Sequence, residues 1–273
     1  MPTLEENKSV WDGTRNWSNG GEEWSKEWGT SSMQWYGTIL PRIHAFLPVP
    51  TILEIAPGFG RWTEFLKNSC TNLMVVDLSE KCIRACQERF SNCSHITYFV
   101  NDGKSLDMIP DNTIDFIFSF DSLVHAEDTI ISAYIAQFPK KLKQNGVAFI
   151  HHSNLGEYSN YVKMFGMLSK IPKLSGLLIR LGILDDVGSN LWRAPSMTAG
   201  KMQLYAEENG LQCISQELVT WETQRVLIDC MSTMVRKDSL WFRDNKVFRN
   251  VFFMKEARNL FNLSQLYDLS SGK

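Results

Sequence analysis

The stretch Thr51-Ile52-Leu53-Glu54-Ile55-Ala56-Pro57-Gly58-Phe59-Gly60-Arg61-Trp62 constrains this chain more than any other. An apolar, β-favouring run closes on an acid, the backbone turns on two glycines, and a helical pattern opens over Thr63 to Lys67. Gly58 and Gly60 permit positive φ and let a ligand approach bare backbone, while the first N–H groups of the helix point at it. The spacing is neither the G-x-x-x-x-G-K-[ST] of a triphosphate loop nor the G-x-G-x-x-G of a dinucleotide turn. A carboxylate closing the strand would repel a pyrophosphate, but it can accept hydrogen bonds from a ligand's ammonium group.

Two more units of strand followed by acid come next in order. Leu73-Met74-Val75-Val76-Asp77 sets a carboxylate where doubly wound folds meet a ribose diol, and Asp102 follows the strand Ile96 to Val100, placed to accept from an adenine amino group. On these residues the sequence resembles the class I S-adenosylmethionine-dependent methyltransferases, over roughly Thr51 to Asn154. The resemblance implies an α/β, Rossmann-like, mostly parallel sheet of seven strands with helices on both faces. It implies S-adenosylmethionine as cofactor, with Glu54, Gly58 and Gly60 at its methionine end, Asp77 at the ribose and Asp102 at the adenine. Their neighbours Ala56, Arg61, Leu78, Gly103 and Phe120 complete the expected cofactor contacts.

With 273 residues and 44% hydrophobic content the chain can bury one large core, and we expect a single domain. A net charge of −2 with acids and bases interspersed argues against a nucleic-acid footprint and for a small-molecule or glycan partner. The apolar run Leu177 to Leu184 is broken by Arg180 and too short to span a bilayer, and no basic-then-apolar leader opens the chain. No membrane partner and a cytoplasmic location are therefore expected. The six cysteines show no paired metal spacing and read as reduced and structural.

Residues 1–48 form an arm with Trp11, Trp17, Trp24, Trp28 and Trp35, too aromatic for a disordered tail, so it should pack on the domain as a pinned arm or a lid. Its Met33 to Leu47 part is an amphipathic helix ended by Pro48 and Pro50, with Ile39, Ile43 and Phe46 inward and Gln34, Trp35 and Arg42 near the ligands. Residues 51–154 are the cofactor-binding half. Residues 155–197 read as an insertion capping the acceptor pocket, helical from Tyr158 to Leu184 with breaks at Pro172 and Gly176. Tyr158, Trp192 and Arg193 are its candidate acceptor contacts. In residues 198–273, Thr198 caps a helix ending at Gly210, Leu211 to Trp221 pairs with Val226 to Val235, and Val247 to Leu269 is helical in pattern.

The fourth strand, Thr113 to Phe120, runs into Asp121, Ser122 and His125. The fifth, Val147 to Ile150 after a turn at Asn145-Gly146, runs into His151-His152-Ser153-Asn154. Ligand crevices lie past the carboxyl ends of parallel strands, which makes Asp121, His125, His151 and His152 the candidate catalytic set. The expected reaction is methylation of a hydroxyl on a small polar molecule or sugar, with a neutral imidazole taking the proton. His152 or His125 is favoured as base with Asp121 as orienter; adjacent His151 and His152 point to opposite faces, so one faces the reaction and the other packs. A divalent metal held by Asp121 and the paired histidines is an alternative that imidazole donors disfavour for magnesium. N-methylation of a small amine and non-catalytic cofactor binding complete the alternatives.

Overall fold

The strands form because apolar residues alternate between two buried faces. In the computed structural model, which describes residues 4–14, 17–185, 187, 192–223 and 226–267, Ile52 of the first strand belongs to one core cluster, while Leu53 and Ile55 belong to the other. Phe116 and Phe118 of the fourth strand likewise oppose Ile114 and Ile117, the signature of a sheet covered on both sides.

The strands are β1 (Val49–Ile55), β2 (Cys70–Asp77), β3 (Ile96–Val100), β4 (Ile114–Ser119), β5 (Leu142–Ser153), β6 (Leu211–Val219), β7 (Asp229–Arg236) and β8 (Lys246–Asn250). They lie in the order β3-β2-β1-β4-β5-β7-β6-β8. β1 to β5 run parallel; β7 is antiparallel to β5 and to β6, and β8 adds parallel to β6. Strand order reverses between β1 and β4, which is where an open sheet leaves its ligand crevice.

The helices are α1 (Leu4–Ser9), α2 (Ser31–Gln34), α3 (Leu40–Ile43), α4 (Thr63–Leu66), α5 (Glu80–Arg89), α6 (Asp128–Lys141), α7 (Ser159–Leu168), α8 (Pro172–Arg180), α9 (Ala199–Glu208) and α10 (Phe253–Tyr267). Ile83 and Cys86 of α5 and Phe253 and Ala257 of α10 cover one face of the sheet; Tyr134 and Phe138 of α6 and Met202 and Ala206 of α9 cover the other. Ser79 and Thr198 cap α5 and α9, accepting from the N–H groups of Cys82 and Lys201.

Three local expectations change. The sheet has eight strands, because Lys246–Asn250 satisfies the outer backbone groups of β6 before the C-terminal helix begins at Phe253. Asn145-Gly146 makes no turn: Ile114 pairs with Leu142 and Phe116 with Val147, so the extra residues bulge within β5. A Cβ on Gly146 would sit 2.8 Å from the Ile114 carbonyl oxygen. Gly176 lies inside α8 without breaking it, whereas Pro172 starts that helix.

Candidate active site

Past the carboxyl ends of β1 and β4 lies a cavity of about 250 Å³. Its floor comes from the glycine turn and the ends of β2, β3 and β4: Ala56, Gly58, Arg61, Asp77, Leu78, Gly103, Phe120, Asp121 and His125. Its walls are tryptophans: Trp11, Trp17, Trp24 and Trp28 from the arm, Trp62 behind the turn, and Trp192 and Trp221 from the second half of the chain.

Gly58 has φ +59°, and an added Cβ would meet Trp17 at 2.7 Å, so the arm closes down onto bare backbone. Trp17 stacks on Phe59 with centroids 4.4 Å apart. The arm is pinned further by Asn7 Nδ2, donating to the His125 carbonyl at 3.2 Å, by Ser79 Oγ bonded to the Asp12 carboxylate, and by Lys81 Nζ, donating to the Asp12 carbonyl at 2.9 Å. Asp77 accepts from the N–H of Gly58 at 3.3 Å and of Ser79 at 2.8 Å. Burial pushes its carboxyl up to about 6 against those two bonds.

Glu54, Gly60 and Asp102 are not among the lining residues. Glu54 is buried beneath the turn, accepting from Thr63 Oγ1 at 2.6 Å with Oε1 unpartnered, and burial raises its carboxyl to about 8. A Cβ on Gly60 would strike Phe90 at 2.5 Å, so that glycine serves helix packing. Asp102 is exposed and turns its carboxylate back onto the N–H groups of Lys104 and Ser105.

The four catalytic candidates separate. His125 lines the cavity; its Nδ1 faces the Trp192 carbonyl oxygen, which can only accept, so Nδ1 carries the proton and Nε2 holds a lone pair. Burial and, next, the neighbouring Arg193 charge depress its pKa to about 4, which keeps the ring neutral. Trp11 and Trp192 flank it at 5.5 and 5.3 Å between ring centroids and stack on each other at 5.8 Å. His152 points the other way: Nδ1 donates to the Ser153 carbonyl and Nε2 accepts from Ser232 Oγ at 2.8 Å, so it is the packing member of the pair. His151 sits one layer behind the cavity against Phe120 and Trp221. Its Nδ1 accepts from the Asp121 N–H at 3.1 Å, leaving a protonated Nε2 3.4 Å from Asp229 Oδ2.

Asp121, with φ 62°, pairs with Arg61 at 2.8 Å and stands 4.0 Å from Arg193. It does not orient His125; the Trp192 carbonyl does. Nor do Asp121, His151 and His152 converge as ligands: one carboxylate is held by arginine and one imidazole faces away, and among the described residues no group of three or more His, Cys, Asp or Glu could hold a metal ion.

Arg193 lines the cavity, but its guanidinium is bonded through Nε to both oxygens of buried Asp229, at 2.9 and 3.0 Å. Burial alone would raise Asp229; Arg193 and His151 outweigh it and hold the carboxyl at about 2. Of the segment 155–197, Trp192 and Arg193 reach the cavity lining, whereas Tyr158 packs against the core. Trp35 is also core, stacked on Phe65 at 5.1 Å. Gln34 accepts from Ser25 Oγ, and Arg42 is bidentate to Glu217. Asp229 and Trp221 were not anticipated; an acid inside the apolar run Leu227-Ile228-Asp229-Cys230-Met231 is the signal that could have found the first.

Residues 52–146 match the family described as Methyltransferase domain. A curated relative, phosphoethanolamine N-methyltransferase 1 of Triticum aestivum, is 30% identical over 118 residues, covering 41% of this chain and 24% of the relative. The chain thus spans about a quarter of the length of the curated relatives it matches. Among solved structures, a SAM-dependent methyltransferase from Leishmania major superposes with a TM-score of 0.57 at 12% identity, covering 85% of this chain and 82% of that one. An S-adenosylmethionine-dependent methyltransferase from Clostridium acetobutylicum gives 0.52 at 17% identity, covering 78% and 92%. Residues 52–146 thus match a methyltransferase domain, and the sheet order and the glycine turn give the chain the fold of the S-adenosylmethionine-dependent methyltransferases it superposes on.

Proposed function

We propose that this chain methylates a hydroxyl of a small polar acceptor, a sugar or glycan end fitting best, with His125 as proton acceptor. The observation that carries the reading is the state of His125: a neutral imidazole in the cavity lining, its Nδ1 proton fixed on the Trp192 carbonyl. A hydroxyl must lose its proton as the methyl arrives, and a positioned lone pair does that.

The residues present fit the cofactor. Gly58 has no side chain, so the Trp17 ring now lying on its backbone is what a ligand there would displace, and Asp77 keeps acceptor capacity for a diol beyond its two N–H bonds. Gly58, Asp77 and Leu78 would hold it, and when bound it supplies an electrophilic methyl on a sulfonium. Trp11 and Trp192 offer flat faces to an acceptor, and residues 155–197 would cap that side. Arg61 and Arg193 hold the Asp121 carboxylate in place at the edge of the cavity.

A second reading is N-methylation of a small amine. It is supported by the similarity to phosphoethanolamine N-methyltransferase 1 and by tryptophan faces, which attract ammonium groups. Purified protein incubated with isotopically methyl-labelled S-adenosylmethionine and parallel panels of sugars and amines separates the two. Methoxy products by NMR support the first reading; N-methyl products alone overturn it.

A further inference from the structure

The insertion carries a surface that methyl transfer does not use. Phe165 of α7 is buried, and Tyr161, Val162, Leu178 and Ile179 pack against the core beside it. The outer side of the same two helices stays apolar. Met164 and Met167 stand on α7, Ile171 lies in the link that joins the helices, and Leu174 and Leu177 stand on α8, with Leu181 directly after its end. Met167 is 64%, Ile171 54% and Leu181 60% exposed.

A basic residue stands directly before Met164, Ile171, Leu174 and Leu181: Lys163, Lys170, Lys173 and Arg180, all exposed. No acid occurs between residues 158 and 184, so this segment carries four positive charges in a chain whose net charge is −2. Protein interfaces are depleted in Lys and enriched in aromatics, and this face has the reverse composition. A two-fold contact between copies would set like charges against like. Exposed aliphatic side chains edged by Lys and Arg are instead what a helix lying in a lipid headgroup layer presents.

We propose that the outer face of α7 and α8 docks on an anionic bilayer surface. The helices lie on the membrane and do not cross it: no helix among the described residues is long and apolar enough to span one. This revises the expectation of no membrane partner, which rested on overall charge and on the absence of a spanning run; neither measures a local charge cluster. The segment is tied to the body through Asp185, whose N–H donates to Tyr161 Oη and whose carboxylate accepts from the Val226 N–H at 2.8 Å.

The test is flotation of the full chain with vesicles of one part phosphatidylglycerol to three parts phosphatidylcholine, against pure phosphatidylcholine. The protein should float with the anionic vesicles, stay behind with neutral ones, and release as salt is raised. A basic residue near such a surface is worth about fivefold in partitioning, so Lys170→Glu/Lys173→Glu should lower binding by more than about twentyfold. Met167→Ser/Leu174→Ser should also lower it. All four side chains are exposed, so both variants should keep the wild-type melting curve. Phe248→Ser, on the exposed apolar surface of β8, is the control and should bind as wild type. Equal binding to neutral vesicles, no binding to anionic ones, or indifference to both double substitutions overturns the proposal. So does loss of binding in the β8 control. A concentration-dependent dimer that Met167→Ser/Leu174→Ser dissolves, without vesicle binding, would assign the face to a second copy.

Discussion

Gly58→Ala puts the cofactor assignment under the most direct structural strain. The residue sits at φ +59°, and the new Cβ would lie 2.7 Å from Cη2 of Trp17. Holding an L-residue left-handed costs about 1–2 kcal/mol. The Trp17 ring must also shift off Phe59, on which it lies with planes 2° apart, forfeiting a contact worth about 0.5–1.5 kcal/mol. The sum, about 1.5–3.5 kcal/mol, is smaller than the roughly 5–15 kcal/mol that hold a domain together, so the variant should fold. Affinity for S-adenosylhomocysteine, measured by calorimetry on protein shown folded by urea titration, should fall at least about tenfold, because the methyl covers the backbone a ligand would meet. In a Trp17→Ala background the same substitution should cost only the backbone part of the stability, while the affinity loss persists. Unchanged affinity in folded Gly58→Ala would mean that the cofactor does not lie on the glycine turn.

Asp229→Asn should destabilise the protein by about 3–5 kcal/mol in urea unfolding, because it leaves Arg193 buried opposite a neutral group; Arg193→Met/Asp229→Leu should recover much of that. If Asp229→Asn costs under about 1 kcal/mol, the buried pair is not what holds this side of the cavity. Glu54 gives a pH dependence of definite sign. Its folded pKa of about 8 lies above the ordinary 4.5, so the folded state binds the extra proton and stability is lost as pH rises toward 8. Without ligand, unfolding titrations from about pH 6.5 to 8 should show a decline of about 2 kcal/mol that Glu54→Gln abolishes; a rise over that range would contradict it.

Local chemistry made much of this legible. The strand-ending acids, the glycine turn and the caps at Ser79 and Thr198 are decided within a few residues, and they appear where the sequence puts them. What depends on neighbours distant in sequence was not legible. Trp35 and Tyr158 look like surface aromatics until the sheet face they cover is known. The strand β8 exists only because β6 leaves an edge for it, and a helical pattern hid it. Alternation along β5 foretold that His151 and His152 would differ, yet which one packs is settled by Ser232 on β7. His125 gained its orientation from Trp192, a residue 67 positions away. That the arm's tryptophans form cavity walls follows from the close approach of Trp17 to Gly58, which no spacing within the arm encodes.

Deprotonation of a hydroxyl by His125 is read out by single-turnover methylation of the best hydroxyl acceptor from the screen, with wild type and His125→Gln compared at equal cofactor saturation. The chemical step should fall about a hundredfold to ten-thousandfold in His125→Gln, with S-adenosylhomocysteine affinity retained. The wild-type rate should be level between about pH 6 and 8, because a base with a pKa of about 4 is already neutral there. A loss of less than tenfold in a folded, cofactor-binding His125→Gln protein would contradict His125 as the proton acceptor.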